Sequence, residues 1–129
     1  MTGSLQWQEE RVGGVVVIAL ERSLKGGVDA ALKERIDTLV RQGSLQIVID
    51  LERVPYVDST ELGRLMRSHL SVRKAGGRVR LCNLSERMRL LLRMTHLDTV
   101  FDLYDSQQAA LSAIGAGRLE SERETAAPS

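Results

Sequence analysis

The period of the apolar positions changes repeatedly along this chain, and each change marks an element. Residues 7–12 and 15–20 are β-type stretches on either side of Gly13-Gly14, a link able to take the positive dihedrals of a tight turn, so the chain is expected to open with an antiparallel hairpin. From Val28 the residues Ala31, Leu32, Ile36, Leu39 and Val40 recur at helical spacing, and Gly43 stands where a helix would end. Leu45–Leu51 sets branched aliphatics around one acid, Asp50, the composition of a strand covered on both faces. A second helix is expected from Ser59, with Leu62, Leu65, Met66, His69 and Val72 as its stripe. Arg73, Lys74 and Gly76-Gly77 close it, cations and glycine where the helix dipole and a C-terminal turn favour them.

Arg78–Leu84 reads as a strand, and Ser85 opens a third helix with Met88, Leu91, Leu92 and Thr95 inward. Val100–Tyr104 reads as a last strand, and Asp105 opens a fourth helix ending near Gly115. The order ββαβαβαβα predicts an α/β fold: a mixed sheet of mostly parallel strands with right-handed crossovers, an antiparallel edge from the first hairpin, and four helices. Residues 116–129 hold one large aliphatic, Leu119, among Gly, Arg, Glu, Ser and Thr. They are expected to be disordered, which leaves a single domain over residues 5–115.

Composition narrows the function classes. A net charge of +1 with 27% charged residues carries no global excess that would draw the protein to nucleic acid or a membrane. Cys82 is the only cysteine, so no internal disulfide or cysteine metal cluster can form, and its place in VRLCNL predicts a buried, inert thiol. The longest apolar run, Val15–Leu20, is far too short for a membrane span, and the start MTGSLQWQEE has no basic segment followed by an apolar one. A reducing, cytoplasmic setting without membrane insertion is expected.

The densest concentration of candidate chemistry is PYVDSTELG, residues 55–63. It falls in a loop beyond the carboxyl end of a parallel strand, where open α/β sheets gather functional groups. Asp58 and Glu61, three apart, form a capping-box pattern for the helix that follows, worth about 0.5–2 kcal/mol through the cap. The box accounts for Asp58 structurally. It leaves Ser59 in the first turn with its hydroxyl free, and a phosphate there would add about 1.5–2 negative charges beside the two acids.

These residues carry a resemblance. IVIDLERVPYVDSTELG (47–63), with GGRVRLCNL and LDTVFDLYDSQQAAL downstream, resembles the STAS domain of bacterial anti-sigma factor antagonists, over nearly the whole chain. The resemblance implies a mixed sheet with helices and a partner that is both an anti-sigma factor and a GHKL-type serine kinase. It implies that phosphorylation switches binding off and that a PP2C-type phosphatase restores it. The family's modified serine follows the Asp of a DS[ST]GLG motif, which maps onto Ser59, with Thr60 as the second hydroxyl. The implied partner-binding surface comprises Asp58, Ser59, Thr60, Glu61, Leu62 and Gly63, with Arg64, Arg67 and Lys25 beside it. Two positions depart from the pattern. Glu61 stands for the first glycine of GLG, bringing a side chain and a charge to the surface a partner approaches. Arg22-Ser23-Leu24-Lys25 stands where the family often has a Gly-x-Leu-Asp turn, so a cation replaces an acid. These departures lean toward the alternative of a constitutive STAS subunit or scaffold, such as one packed on the ATPase of a lipid-transport ABC system.

Residues 64–93 hold nine Lys or Arg against one acid, Glu86. Arg64, Arg67, Ser71 and Lys74 are expected along the outer side of the second helix, with Arg89 and Arg93 paired on the third. With so few aromatics to interleave, this reads as a solvated or protein-docking face and not a nucleic-acid platform. His69 falls on an apolar stripe, and His96 ends the third helix, where its imidazole could bond terminal carbonyls. Neither has ligand-spaced neighbours for a metal. The serine has no GxSxG elbow, and no GxGxxG or GxxxxGK[ST] loop exists, so Gly26-Gly27 and Gly76-Gly77 read as turns. No enzyme, cofactor or metal is expected.

Overall fold

The strands form one five-stranded sheet in the order β1-β2-β3-β4-β5, in a computed structural model that describes residues 6–115. β1 (Trp7–Val12) and β2 (Val15–Leu20) pair antiparallel with Val12 opposite Val15. Gly13-Gly14 is therefore the whole turn, and Gly13 takes φ 63°, a conformation costly for a residue with a Cβ. β3 (Gln46–Asp50), β4 (Arg78–Cys82) and β5 (Asp102–Tyr104) add on as parallel neighbours. Three helices make the crossovers, α1 (Val28–Arg41), α2 (Ser59–Lys74) and α3 (Glu86–Met94), and α4 occupies residues 107–115.

Strand neighbours follow chain order, so crossovers of one hand deliver α1, α2 and α3 to the same face of the sheet. There Ile18, Ile47, Ile49, Val79 and Leu81 pack on Leu32 and Ile36 of α1, Leu65 and Val72 of α2, and Met88 and Leu92 of α3. The alternate strand residues Val15, Val17, Val48 and Cys82 point the other way and are closed over by Ala110 and Ile114 of α4. Coverage of both faces explains why β2 and β3 read as continuous apolar runs instead of alternating.

Several boundaries differ from expectation for local reasons. β4 stops at Cys82 because Asn83 turns to φ 59°. β5 starts at Asp102 because the amides of Val100 and Phe101 donate to the Leu97 carbonyl at 3.0 and 3.1 Å in a turn. Thr95 is exposed and not inward; its hydroxyl donates to the Leu91 carbonyl at 2.8 Å as α3 ends. At His96 the backbone closes the helix, not the imidazole: the residue takes φ 60° and its amide donates to the Arg93 carbonyl at 3.1 Å. The fourth helix starts two residues after Asp105 because Ser106 caps it, its Oγ accepting the Ala109 amide at 3.0 Å. Leu5 and the tail expected to be disordered lie outside the described residues.

Candidate functional site

The loop between β3 and α2 is pinned on every side before it reaches the serine. Val54 and Val57 are fully buried. Ser85 Oγ donates to the Pro55 carbonyl at 2.8 Å while accepting the Met88 amide at 3.1 Å, so one hydroxyl caps α3 and clamps the loop. The Arg87 guanidinium lies 4.2 Å from the centre of the Tyr56 ring, a cation–π contact. Beneath the loop, buried Asp50 accepts from the Glu52 amide at 2.9 Å, from Asn83 Nδ2 at 3.1 Å and from Gln107 Nε2 at 2.7 Å. This carboxylate joins the ends of β3 and β4 to α4. The acid inside an apolar strand was the only trace of that network in the sequence.

At the mouth of α2 the capping box forms in full. Asp58 Oδ1 accepts the Glu61 amide at 2.8 Å, and Glu61 Oε1 accepts the Asp58 amide at 2.9 Å. Ser59 and Thr60 are exposed, and among the described residues neither hydroxyl makes a hydrogen bond. The departures at Glu61 and Lys25 turn out to be one feature. Lys25 Nζ lies 4.0 Å from Asp58 Oδ2 and 3.8 Å from Glu61 Oε2. The Glu61 side chain is only 6% exposed, against 51% for Asp58 and 67% for Lys25. Glu61 therefore does not thrust a charge at the surface, as expected from its replacement of glycine; it folds back on the helix mouth. Of these three charged groups, the exposed ones are the Asp58 carboxylate and the Lys25 ammonium.

Leu62 is buried in the main core, so its side chain belongs to packing. Gly63 is half-buried, and a Cβ added to it would meet nothing within 4 Å. Among the described residues nothing requires glycine there. Arg64 does not line the outer side of α2: its Nε sits 2.9 Å from Asp29 Oδ2 on α1, an ion-pair contact and not an aligned hydrogen bond. Arg67 and Lys74 are exposed, as expected. Much of the basic segment is likewise engaged. Arg78 meets Asp102 at 3.4 Å, Arg80 donates to Gln46 at 2.8 Å, and Arg89 meets Asp105 at 3.0 Å instead of working with Arg93.

The remaining candidates are core residues. His69 is buried and packs against Phe101 in a tilted ring pair, centroids 5.1 Å apart and planes 56° from parallel. Burial holds its pKa below the ordinary 6.5, with Arg73 and Arg78 reinforcing this and Asp102 opposing it. Cys82 is fully buried as expected, and burial next to the Asp50 and Glu52 carboxylates pushes its thiol up to about 12. Among the described residues no cluster of three His, Cys, Asp or Glu side chains could hold a metal ion, and no helix is long and apolar enough to cross a membrane.

Comparison with known proteins agrees with this architecture. The chain is similar to the anti-sigma-B factor antagonist of Bacillus subtilis, 34% identical over 88 residues that cover 65% of this chain and 80% of that protein. Among solved structures it superposes on an anti-sigma factor antagonist from Mycobacterium paratuberculosis with a TM-score of 0.72 and 26% identity, covering 83% of this chain and 91% of that one. It superposes on the phosphorylated form of the Bacillus cell fate determinant SpoIIAA with a TM-score of 0.69 and 25% identity, covering 84% and 98%. The STAS domain model matches residues 6–110, which hold the whole sheet, α1 to α3 and the start of α4, and the chain belongs to the STAS domain family.

Proposed function

We propose that this protein is an anti-sigma factor antagonist switched at Ser59. Unphosphorylated, it docks the β3–α2 loop and α2 onto an anti-sigma factor that is also a GHKL-type serine kinase, and a sigma factor is released. Phosphorylation of Ser59, with Thr60 the less favoured hydroxyl, ends the binding, and a PP2C-type phosphatase restores it. The role is regulatory and not catalytic, carried out in the cytoplasm. The observation that carries the reading is the division of labour at the mouth of α2. Asp58 and Glu61 are consumed by the capping box, whereas the Ser59 hydroxyl stands exposed and, among the described residues, makes no hydrogen bond.

Gly63 adds support. A helical glycine costs about 1 kcal/mol relative to alanine, and among the described residues no contact demands it. Close approach by a partner backbone would. The names of the relatives agree, and one of them has been solved in a phosphorylated form. The alternative, a constitutive STAS subunit or scaffold, drew on Glu61 and Lys25. Against it, the Glu61 carboxylate is folded into the capping box with Lys25 3.8 Å away, and is not the exposed charge on which that alternative leaned.

The test starts with capture of partners from the native cytoplasm. Phosphosite mass spectrometry with the recovered kinase and ATP follows, alongside binding titrations of Ser59→Ala and Ser59→Asp. Ser59→Ala is expected to bind and to resist inactivation, and Ser59→Asp to bind more weakly. No phosphate on Ser59 or Thr60, together with equal binding by both variants, would leave the constitutive subunit as the better reading.

A further inference from the structure

We propose that Lys25 is the internal counter-ion of a phosphate on Ser59, so that part of the added charge is taken up within the protein. This rests on the Ser59 reading above and names the residue that answers the modification. Lys25 stands within 4.0 Å of both acids of the capping box, yet neither distance is short enough for a hydrogen bond. An ammonium has three donors, and those of Lys25 are not committed to either carboxylate. The carboxylates do not depend on it, because each holds its place through the other residue's amide. Lys25 can therefore move to a stronger acceptor without opening the cap.

The local backbone suits such a swing. Leu24 is fully buried, the Asp29 amide donates to its carbonyl at 3.1 Å, and Gly26 and Gly27 turn the chain into α1 at φ 65° and 87°. The main chain at Lys25 is thus anchored while its side chain is 67% exposed on a flexible stem. The other cations near the mouth are differently placed. Arg64 is held by Asp29 at 2.9 Å, Arg53 by Glu21 at 3.0 Å, and Arg22, in the same turn as Lys25, makes no ion pair among the described residues with Asp58 or Glu61. A phosphate carrying about 1.5–2 negative charges outcompetes a single carboxylate for an ammonium. The modification would then bind the Lys25 turn to the mouth of α2 and withdraw this exposed cation from a partner.

The experiment uses full-length protein with phosphoserine placed at position 59 during translation, so it does not depend on any kinase. Phosphorus NMR titration reads the second ionisation of the phosphate. In the wild-type background it should lie about half a unit lower than in Lys25→Gln, a threefold change in the ionisation constant, typical of an exposed ion pair. The difference should shrink at high salt, and Arg22→Gln should leave the value near wild type. Because the chain has only three lysines, Lys25, Lys33 and Lys74, carbon-13 labelling at Lys Cε supplies a second readout. The Lys25 signal alone should move when Ser59 carries phosphate. An unchanged phosphate pKa in Lys25→Gln, an equal shift in Arg22→Gln, or a silent Lys25 signal would each overturn the assignment. Failure of a kinase to modify Ser59 would instead overturn the switch and leave this measurement standing.

Discussion

Replacing Glu61 with glycine would restore the residue that the family pattern favours, and it should nevertheless destabilise this protein. The substitution removes the Oε1 atom that accepts the Asp58 amide at 2.9 Å and the carboxylate 3.8 Å from Lys25, and it puts glycine into the first turn of α2. Half of a capping box is worth about 0.5–1.5 kcal/mol. Glycine in place of glutamate costs up to about 0.8 kcal/mol, less near a helix end. The pairing with a largely exposed ammonium adds only a few tenths, roughly 0.3 kcal/mol. The total is about 1–2.5 kcal/mol, a fall in Tm of roughly 3–12 °C for a domain of this size. Thermal melting followed by circular dichroism reads it directly. Glu61→Gln is the control, since it keeps an oxygen for the Asp58 amide and loses only charge, and it should stay within about 0.5 kcal/mol of wild type. A double-mutant cycle with Lys25→Gln then isolates the ion pair. If Glu61→Gly melts at or above the wild-type temperature, or if Glu61→Gln falls as far, the capping role assigned to this side chain is wrong.

Gly63→Ala should act in the opposite sense, stabilising the free protein by up to about 1 kcal/mol because a Cβ there meets open space, while weakening partner binding in the same titrations; a destabilised variant would contradict the open site. Cys82, buried with its thiol pushed up to about 12, should resist alkylation in the folded protein and react once unfolded, and rapid native labelling would contradict its placement. Arg64→Glu should lower Tm by a few degrees because it sets two acids together between α1 and α2, whereas Arg67→Glu should leave Tm unchanged and slow only partner association, with equal melting of the two variants counting against the Asp29 contact. His69 supplies a pH test: its folded pKa lies below the unfolded 6.5, so the unfolded state binds the extra proton first and stability should fall as pH drops from 6.5 toward the folded value. Glu9, whose carboxyl Arg35 holds below 4.5, loses its contribution only at lower pH, so Tm slopes measured between pH 7 and 5 should flatten in His69→Gln, and an unchanged slope would remove His69 as the cause.

Features built from near neighbours in the chain were legible in the residues alone. The hairpin at Gly13-Gly14 and the start of α2 at Ser59 were expected and are found. So was the Asp58–Glu61 box, because its two hydrogen bonds join residues three apart and need only a helix to form. The unbroken apolar run of β3 likewise announced a strand covered on both faces. Tertiary structure decided what those elements meet. Nothing local in Arg22-Ser23-Leu24-Lys25 indicates that its cation will stand beside Glu61, or that Arg64 will turn from the surface toward Asp29. Nor does the strand VRLCNL show that Asn83 will leave it to bond Asp50. Such pairings bring together charges from loops and helices far apart in sequence. Their distances are set by where the parallel crossovers lay α1 against α2 and bring the strand ends together, and a one-dimensional pattern of apolar and polar positions does not specify that geometry.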